Sequence, residues 1–242
     1  MPPYTLTPIT ATDRTTISTI FCTSYTTNPW FRLQYSSLPI PQIIPGFALR
    51  FPAGNLSKPN AWHLKLLDAG LDNKCIAFAR WILPGRVFGR LSEELKREGG
   101  GMGLQGEKEE DLERYRRERE EGYVDGVAIG MDVRVPDEAR VELDAMRAKA
   151  PAPPEEYIEL EALHTLPEHE RKGAGTALME WGIRLADSEG LPIRLLSSPH
   201  AFELYKRFGF VELGRVTFDL ARWGGEGEFI WYLMSREPKT AE

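Results

Sequence analysis

At 242 residues, with 42% hydrophobic and 27% charged side chains, the chain has the composition of a folded domain with a sizeable core, not of a disordered or fibrous one. A formal net charge of −6 argues against a general nucleic-acid or anionic-membrane binder, since phosphate-rich partners select basic surfaces. Cys22 and Cys75 are far apart and match neither a disulfide framework nor a zinc spacing, which predicts free thiols in a reducing compartment.

Met1 to Leu6 shows no basic segment leading into an apolar one, and no apolar run reaches the roughly 20 residues of a membrane span. Cytoplasm is therefore expected, with the nucleus left open. Tyr4 to Ile9 alternates as a strand, and Thr10 to Asp13 supplies capping residues for a helix carrying Ile17, Ile20 and Phe21. Pro39, Pro41 and Pro45 predict irregular structure, because proline removes a backbone donor. Ala61 to Leu67 and Lys74 to Leu83 read as a hairpin turning through Gly70, Asp72 and Asn73.

From Arg86 to Pro154 the character changes, so that residues 86–154 read as an insertion within one domain spanning 1–242. Its run from Glu107 to Glu121 mixes signs as an exposed helix does, while Val124, Val127, Ile129, Met131, Val133 and Val135 predict partial packing on the domain. Tyr157 to Leu166 reads as a strand, Gly173 to Ser188 as a helix, Ile193 to Ser197 as a strand and Pro199 to Phe208 as a helix. Val211 to Leu220 and Glu228 to Met234 complete the pattern as paired strands, and the class is α/β.

One junction carries chemistry. A strand runs into Arg171-Lys172-Gly173-Ala174-Gly175-Thr176, where a helix begins with Leu178, Met179, Ile183 and Leu185 on roughly one side. Glycines there allow close backbone approach, and the unpaired N–H groups of a helix's first turn bear partial positive charge. A pyrophosphate suits such a cradle, with Arg171 and Lys172 adding charge and Thr176 a hydroxyl donor. The spacing is neither the GxGxxG of dinucleotide folds nor the GxxxxGK[ST] of nucleoside-triphosphate binders.

Pro167-Glu-His-Glu-Arg-Lys-Gly-Ala-Gly resembles the acetyl-CoA turn of the GNAT superfamily of N-acetyltransferases, and Leu204-Tyr-Lys-Arg-Phe-Gly-Phe210 is similar to the family's later aromatic motif. Glu170 stands where the family usually carries Gln or Arg. Trp81-Ile-Leu-Pro84 and Ser197-Ser-Pro199 are similar to a fungal branch. The resemblance implies a GNAT-like acyl-CoA N-acyltransferase fold: a mixed, mostly antiparallel sheet flanked by helices, with the charged helical insertion.

The same resemblance implies direct acetyl transfer from acetyl-CoA to a primary amine, small molecule or peptide, with no metal and no nucleic-acid or membrane partner. Leu163, His164 and Thr165 would pair with the pantetheine arm as an added strand does, and Arg171, Lys172, Gly173, Ala174, Gly175 and Thr176 would hold the pyrophosphate. Tyr205 matches the tyrosine that protonates the leaving thiolate. Glu161 and Glu159, two residues apart on one strand face, would act either as a base or in binding a cationic amine. His164 faces away from Glu161 in a regular strand and reads as packed or hydrogen-bonded, whereas a bulge would reverse that facing. His200 is an additional contact candidate. Trp30, Phe31, Tyr35 and Trp62 read as core or as walls of an acceptor pocket. The other functional reading is a non-catalytic acyl-CoA-binding regulatory module that uses the charged insertion as its partner surface.

Overall fold

Alternating apolar residues build the strands β1 (Tyr4–Pro8), β2 (Ala61–Asp68) and β3 (Lys74–Ile82), which form an antiparallel meander. This computed structural model describes residues 4–239; Met1 to Pro3, part of the stretch read for a leader, lies outside the described residues. β3 pairs antiparallel with β6 (Ile158–Thr165), which runs parallel to β7 (Ile193–Ser197). β7 pairs with β9 (Glu228–Arg236), and β9 with the edge strand β8 (Val211–Asp219). The seven strands form one sheet in the order β1-β2-β3-β6-β7-β9-β8, the expected mixed and mostly antiparallel arrangement.

Helices cover both faces. α4 (Gly85–Arg97) and α7 (Ala174–Glu189) bury Val87, Leu178 and Met179 against Trp81, Ile158 and Leu195. α8 (Pro199–Arg207) adds Tyr205 to the same cluster. The opposite face receives α1 (Arg14–Ser24), α3 (Ile40–Phe51) and α5 (Glu109–Glu121), whose Ile17, Ile20, Phe51 and Tyr115 pack with Phe78 and Ala162. α2 (Pro29–Gln34) and α6 (Arg134–Lys149) close a third cluster over β8, where Trp30, Val135 and Ala139 meet Phe218.

The irregular structure expected at Pro39 to Pro45 is corrected to helix α3. Pro41 lies in the first turn, where its missing N–H has no intrahelical acceptor to lose; Pro45 lies inside, and the burial of Ile43, Ala48 and Phe51 outweighs its lost bond. The charged run forms α5, with only Tyr115 buried and an Arg14–Glu118 ion pair tying it to α1. The short hairpin of β4 (Tyr123–Val124) and β5 (Val127–Ala128) follows. Of the apolar residues expected to pack, Val135 is fully buried and Met131 partly so, whereas Val124, Ile129 and Val133 are exposed. Trp30, Phe31, Tyr35 and Trp62 are all core. Cys22 is buried and Cys75 half-buried, both as free thiols.

α7 lies so close to β3 that a Cβ built at Gly182 would overlap the Trp81 ring. Gly182→Ala is expected to cost about 1–3 kcal/mol despite alanine's better helix propensity, because Trp81 is fully buried and has no room to move. Urea denaturation measures this, and an unchanged midpoint would sink the packing argument. Burial also holds the His63 imidazole, with help from Arg80 and Lys58, down to about 3. A folded-state value below the unfolded one means that stability is present above pH ~6.5 and lost as pH falls toward 3, with a slope of about 1.4 kcal/mol per pH unit. Replacing His63 with Gln should remove about one proton's worth of that slope between pH 6 and 4.

Candidate functional site

β6 bonds to β7 only over Ile158–Leu160, opposite Ile193–Leu195, and the two strands then separate. At the same point the register with β3 slips: Arg80 opposes Ala162 while Trp81 opposes Leu160, which leaves Glu161 as the extra residue of a β-bulge. Beyond the bulge β6 keeps β3 as a neighbour, and Leu166 N–H donates to the Ile76 carbonyl at 2.9 Å. Strand alternation therefore turns the N–H and C=O of Leu163 and Thr165 toward the edge that β7 has left. An open strand edge of this kind accepts an extended ligand by backbone pairing.

The chain leaves β6 through a turn in which Arg171 (φ 58°) and Gly173 (φ 93°) both adopt left-handed conformations. Glycine accepts this freely, whereas Arg171 carries strain of order 1 kcal/mol. α7 then starts at Ala174, and its first backbone bond runs from Ala177 N–H to the Gly173 carbonyl at 3.0 Å. The N–H groups of Ala174, Gly175 and Thr176 find no protein acceptor among the described residues. They point from the positive end of a 16-residue helix, an arrangement that attracts phosphate.

The open edge and this turn border one cavity of about 1360 Å³. Leu163, His164, Thr165, Arg171, Gly173, Gly175 and Thr176 line it, as do Glu161, His200 and Tyr205. Among the expected cofactor contacts, Lys172 and Ala174 do not line it. Lys172 Nζ instead donates to the Glu168 carbonyl at 2.7 Å, and the Ala174 methyl is buried in the core beneath α7. The Arg171 guanidinium has no carboxylate partner among the described residues, and neither has Arg207, a second cavity-lining arginine. Glu170 lies 3.3 Å from His200 Nε2 in an acid–imidazole pair at the same rim.

The two acidic candidates separate. Glu161 lines the cavity and is clamped by Arg80 Nε at 2.6 Å and by Lys58. Glu159 borders a different depression, of about 300 Å³, with Pro84 and Tyr157. Burial first, and then repulsion from Glu161, raise its carboxyl above the ordinary range. Tyr205 is buried to 5% exposure with its ring 5.7 Å from Phe210, and burial raises its phenol well above the ordinary value. The phenol therefore stays protonated at neutral pH.

His164 corrects an expectation based on a regular strand. The bulge places it with Glu161 on the side of the sheet where Phe78 and Arg80 project, and its ring stacks on Phe78 at 5.1 Å. Residues that sequence reasoning passed over also line the cavity: Ser24 to Pro29, between α1 and α2, and Glu228, Phe229 and Trp231 of β9. The only local signal was the Asn28-Pro29 pair, whose asparagine caps α2 by accepting from Phe31 N–H at 3.0 Å.

Comparison with known proteins agrees with this geometry. The chain is 34% identical over 88 residues to an uncharacterized N-acetyltransferase of Bacillus licheniformis, which covers 36% of this chain and 51% of that protein. It is 36% identical over 87 residues to one of Bacillus pumilus, covering 36% and 50%. The chain thus spans about half the length of the curated relatives it matches, and these relatives are bacterial, so they lend the fungal resemblance no support. Among solved structures, a histone acetyltransferase HPA2 and related acetyltransferase from Corynebacterium glutamicum superposes with a TM-score of 0.56 at 17% identity, covering 100% of this chain and 99% of that one. The C-terminal condensation domain of Ebony in complex with beta-alanyl-dopamine gives 0.58 at 12% identity, covering 98% and 100%. At such identities the likeness concerns the fold. The model of the acetyltransferase (GNAT) family matches residues 90–210, half of the sequence, and the chain belongs to that family.

Proposed function

We propose that the protein transfers an acetyl group from acetyl-CoA to a primary amine, small molecule or peptide, within a ternary complex and without a metal. The observation that carries this reading is the meeting, in one cavity, of an open strand edge at Leu163 and Thr165 with the unpaired N–H groups of α7. Family membership and the bacterial N-acetyltransferase relatives support the same chemistry. The unpaired thiols Cys22 and Cys75 suit a cytoplasmic setting.

In this reading the backbone of Ala174, Gly175 and Thr176 holds the pyrophosphate, and Arg171 and Arg207 supply positive charge. The backbone at Leu163 and Thr165 pairs with the pantetheine arm as a further strand would. The Leu163 N–H then bonds the thioester carbonyl oxygen as negative charge gathers on it. The amine nitrogen attacks the carbonyl carbon, a C–N bond forms and the C–S bond breaks. Tyr205 delivers its phenolic proton to the departing thiolate, a donation its raised pKa keeps available at neutral pH. Glu161, fixed between Arg80 and Lys58, shapes the field where the acceptor enters, and Glu159 lies away from the reacting atoms.

Two measurements test the proposal. At Gly175 the backbone φ is not positive, and an added Cβ meets only ordinary contacts, 3.5 Å from Leu204 and 3.6 Å from Leu163. Gly175→Asp is therefore expected to fold, while its charge at the helix start weakens acetyl-CoA binding by ~30-fold, equivalent to ~2 kcal/mol, in calorimetric titration. Absence of binding by the wild-type protein would end the acetyl-transfer reading. Tyr205→Phe is expected to lower kcat by about 100-fold in an amine-acceptor screen while acetyl-CoA affinity stays within twofold. An unchanged rate would remove Tyr205 from the acid role.

A further inference from the structure

His164 is enclosed by three aromatic rings: Phe21 at 4.8 Å, Tyr25 at 4.9 Å and Phe78 at 5.1 Å between centroids. Its Nδ1 lies 2.9 Å from Ser24 Oγ, and the Ser24 hydroxyl lies 2.8 Å from the Phe21 carbonyl. A carbonyl only accepts, so with the hydroxyl proton on the Phe21 carbonyl the Ser24 oxygen is left to accept from Nδ1–H. That pairing favours the tautomer with Nδ1 protonated and a lone pair on Nε2.

Nε2 makes no hydrogen bond among the described residues and is not fully sealed from solvent, whereas His63 Nε2 is sealed and unpaired. His164 lines the cavity with Leu163 on one side and Thr165 on the other. His164 is only 6% exposed, and Nε2 is its one ring nitrogen without a protein partner among the described residues, at a wall of the cavity that Leu163 and Thr165 also line. Burial and then Arg80 hold the ring near 3, so it remains neutral and the lone pair is available throughout the neutral range. The charged and titratable groups around it are Arg80 from β3 and Tyr25 from α1, whose phenol burial raises to about 12. Neither removes the lone pair.

We propose that His164 is the residue that receives the acceptor amine, with Nε2 taking an amine N–H while Ser24 fixes the tautomer that makes this possible. The inference rests on the acetyl-transfer reading above and adds to it the missing proton acceptor. As the C–N bond forms, the amine nitrogen becomes positively charged and its proton acidic. Nε2 accepts that N–H in a hydrogen bond and relays its proton to water in the cavity in the same step, so that no imidazolium accumulates; the C–S bond breaks, and the thiolate takes the Tyr205 proton. The phenolate regains a proton from solvent, so the sum is amine plus acetyl-CoA giving amide plus CoA thiol. His164 touches the substrate in this scheme, and Ser24 is a positioning residue.

The test combines spectroscopy with kinetics. Long-range proton–nitrogen NMR of the labelled wild-type protein at pH 7 should show His164 protonated at Nδ1 and bare at Nε2; protonation at Nε2 would overturn the proposal. With acetyl-CoA and the best primary amine from the acceptor screen, His164→Phe, whose ring fits the same aromatic enclosure, should lower kcat by about 100-fold, and equally from pH 6 to 9. Its acetyl-CoA affinity should stay within twofold. If that variant does not fold, His164→Gln keeps a neutral polar side chain without the basic nitrogen and should show the same loss. Ser24→Ala should lower kcat by about tenfold with the tautomer signal altered, and Ser24→Thr should restore both. Wild-type kcat in a folded His164 variant would refute the role. Failure of the underlying reading has its own signature: the wild-type protein would not bind acetyl-CoA at all, and the proposal would fall with it.

Discussion

One strand cannot hydrogen-bond to two neighbours once they diverge, and β6 meets this constraint at Glu161. Up to Leu160 both of its edges are satisfied, by β3 and by β7. Past the bulge only β3 remains, and the backbone polar groups on the other edge are left for a ligand. The same extra residue turns the strand over, so that His164 joins Glu161 on the face covered by α1. The cavity, its donors and its imidazole therefore share one origin.

α7 is held down by Gly182 against Trp81 at its middle and by the two-pronged contact of Arg236 with Asp187, at 2.8 and 3.0 Å, near its end. A helix anchored in this way presents its N-terminal N–H groups in a fixed direction, so little ordering is left for a ligand to impose. By contrast, the cavity wall from Ser24 to Pro29 is a short connection between helices. It nonetheless supplies Ser24 and Tyr25 to the surroundings of His164 and Asn28 to the cap of α2.

Both signs of charge line the cavity although the whole chain is acidic: Arg171 stands in the turn before α7 beside Glu170, Arg207 and Glu203 belong to α8, Glu161 to β6 and Glu228 to β9. Net charge says nothing about this local mixture, because side chains distant in sequence create it.

The strand, the glycine turn and helix α7 were legible because each depends on local order: alternation, glycine at a left-handed position, and apolar residues at helical spacing. The mixed sheet followed from the resemblance carried by the turn and by the aromatic motif around Tyr205. Other features were not local. Pro41 and Pro45 read as helix breakers, yet the burial of Ile43, Ala48 and Phe51 recruits them into α3. Lys172 and Ala174 belong to the motif, but the direction of their side chains depends on Glu168 and on the core beneath α7. The bulge at Glu161 arises from the register between two strands that 75 residues, Leu83 to Tyr157, separate in sequence, with three helices between them. A single strand's pattern carries no trace of such a slip, so the sequence by itself determined the local elements around the glycine turn, an alternating strand leading into an amphipathic helix. Only the tertiary structure decided which side chains face the cavity, because facing follows from register, and register is a property of paired strands.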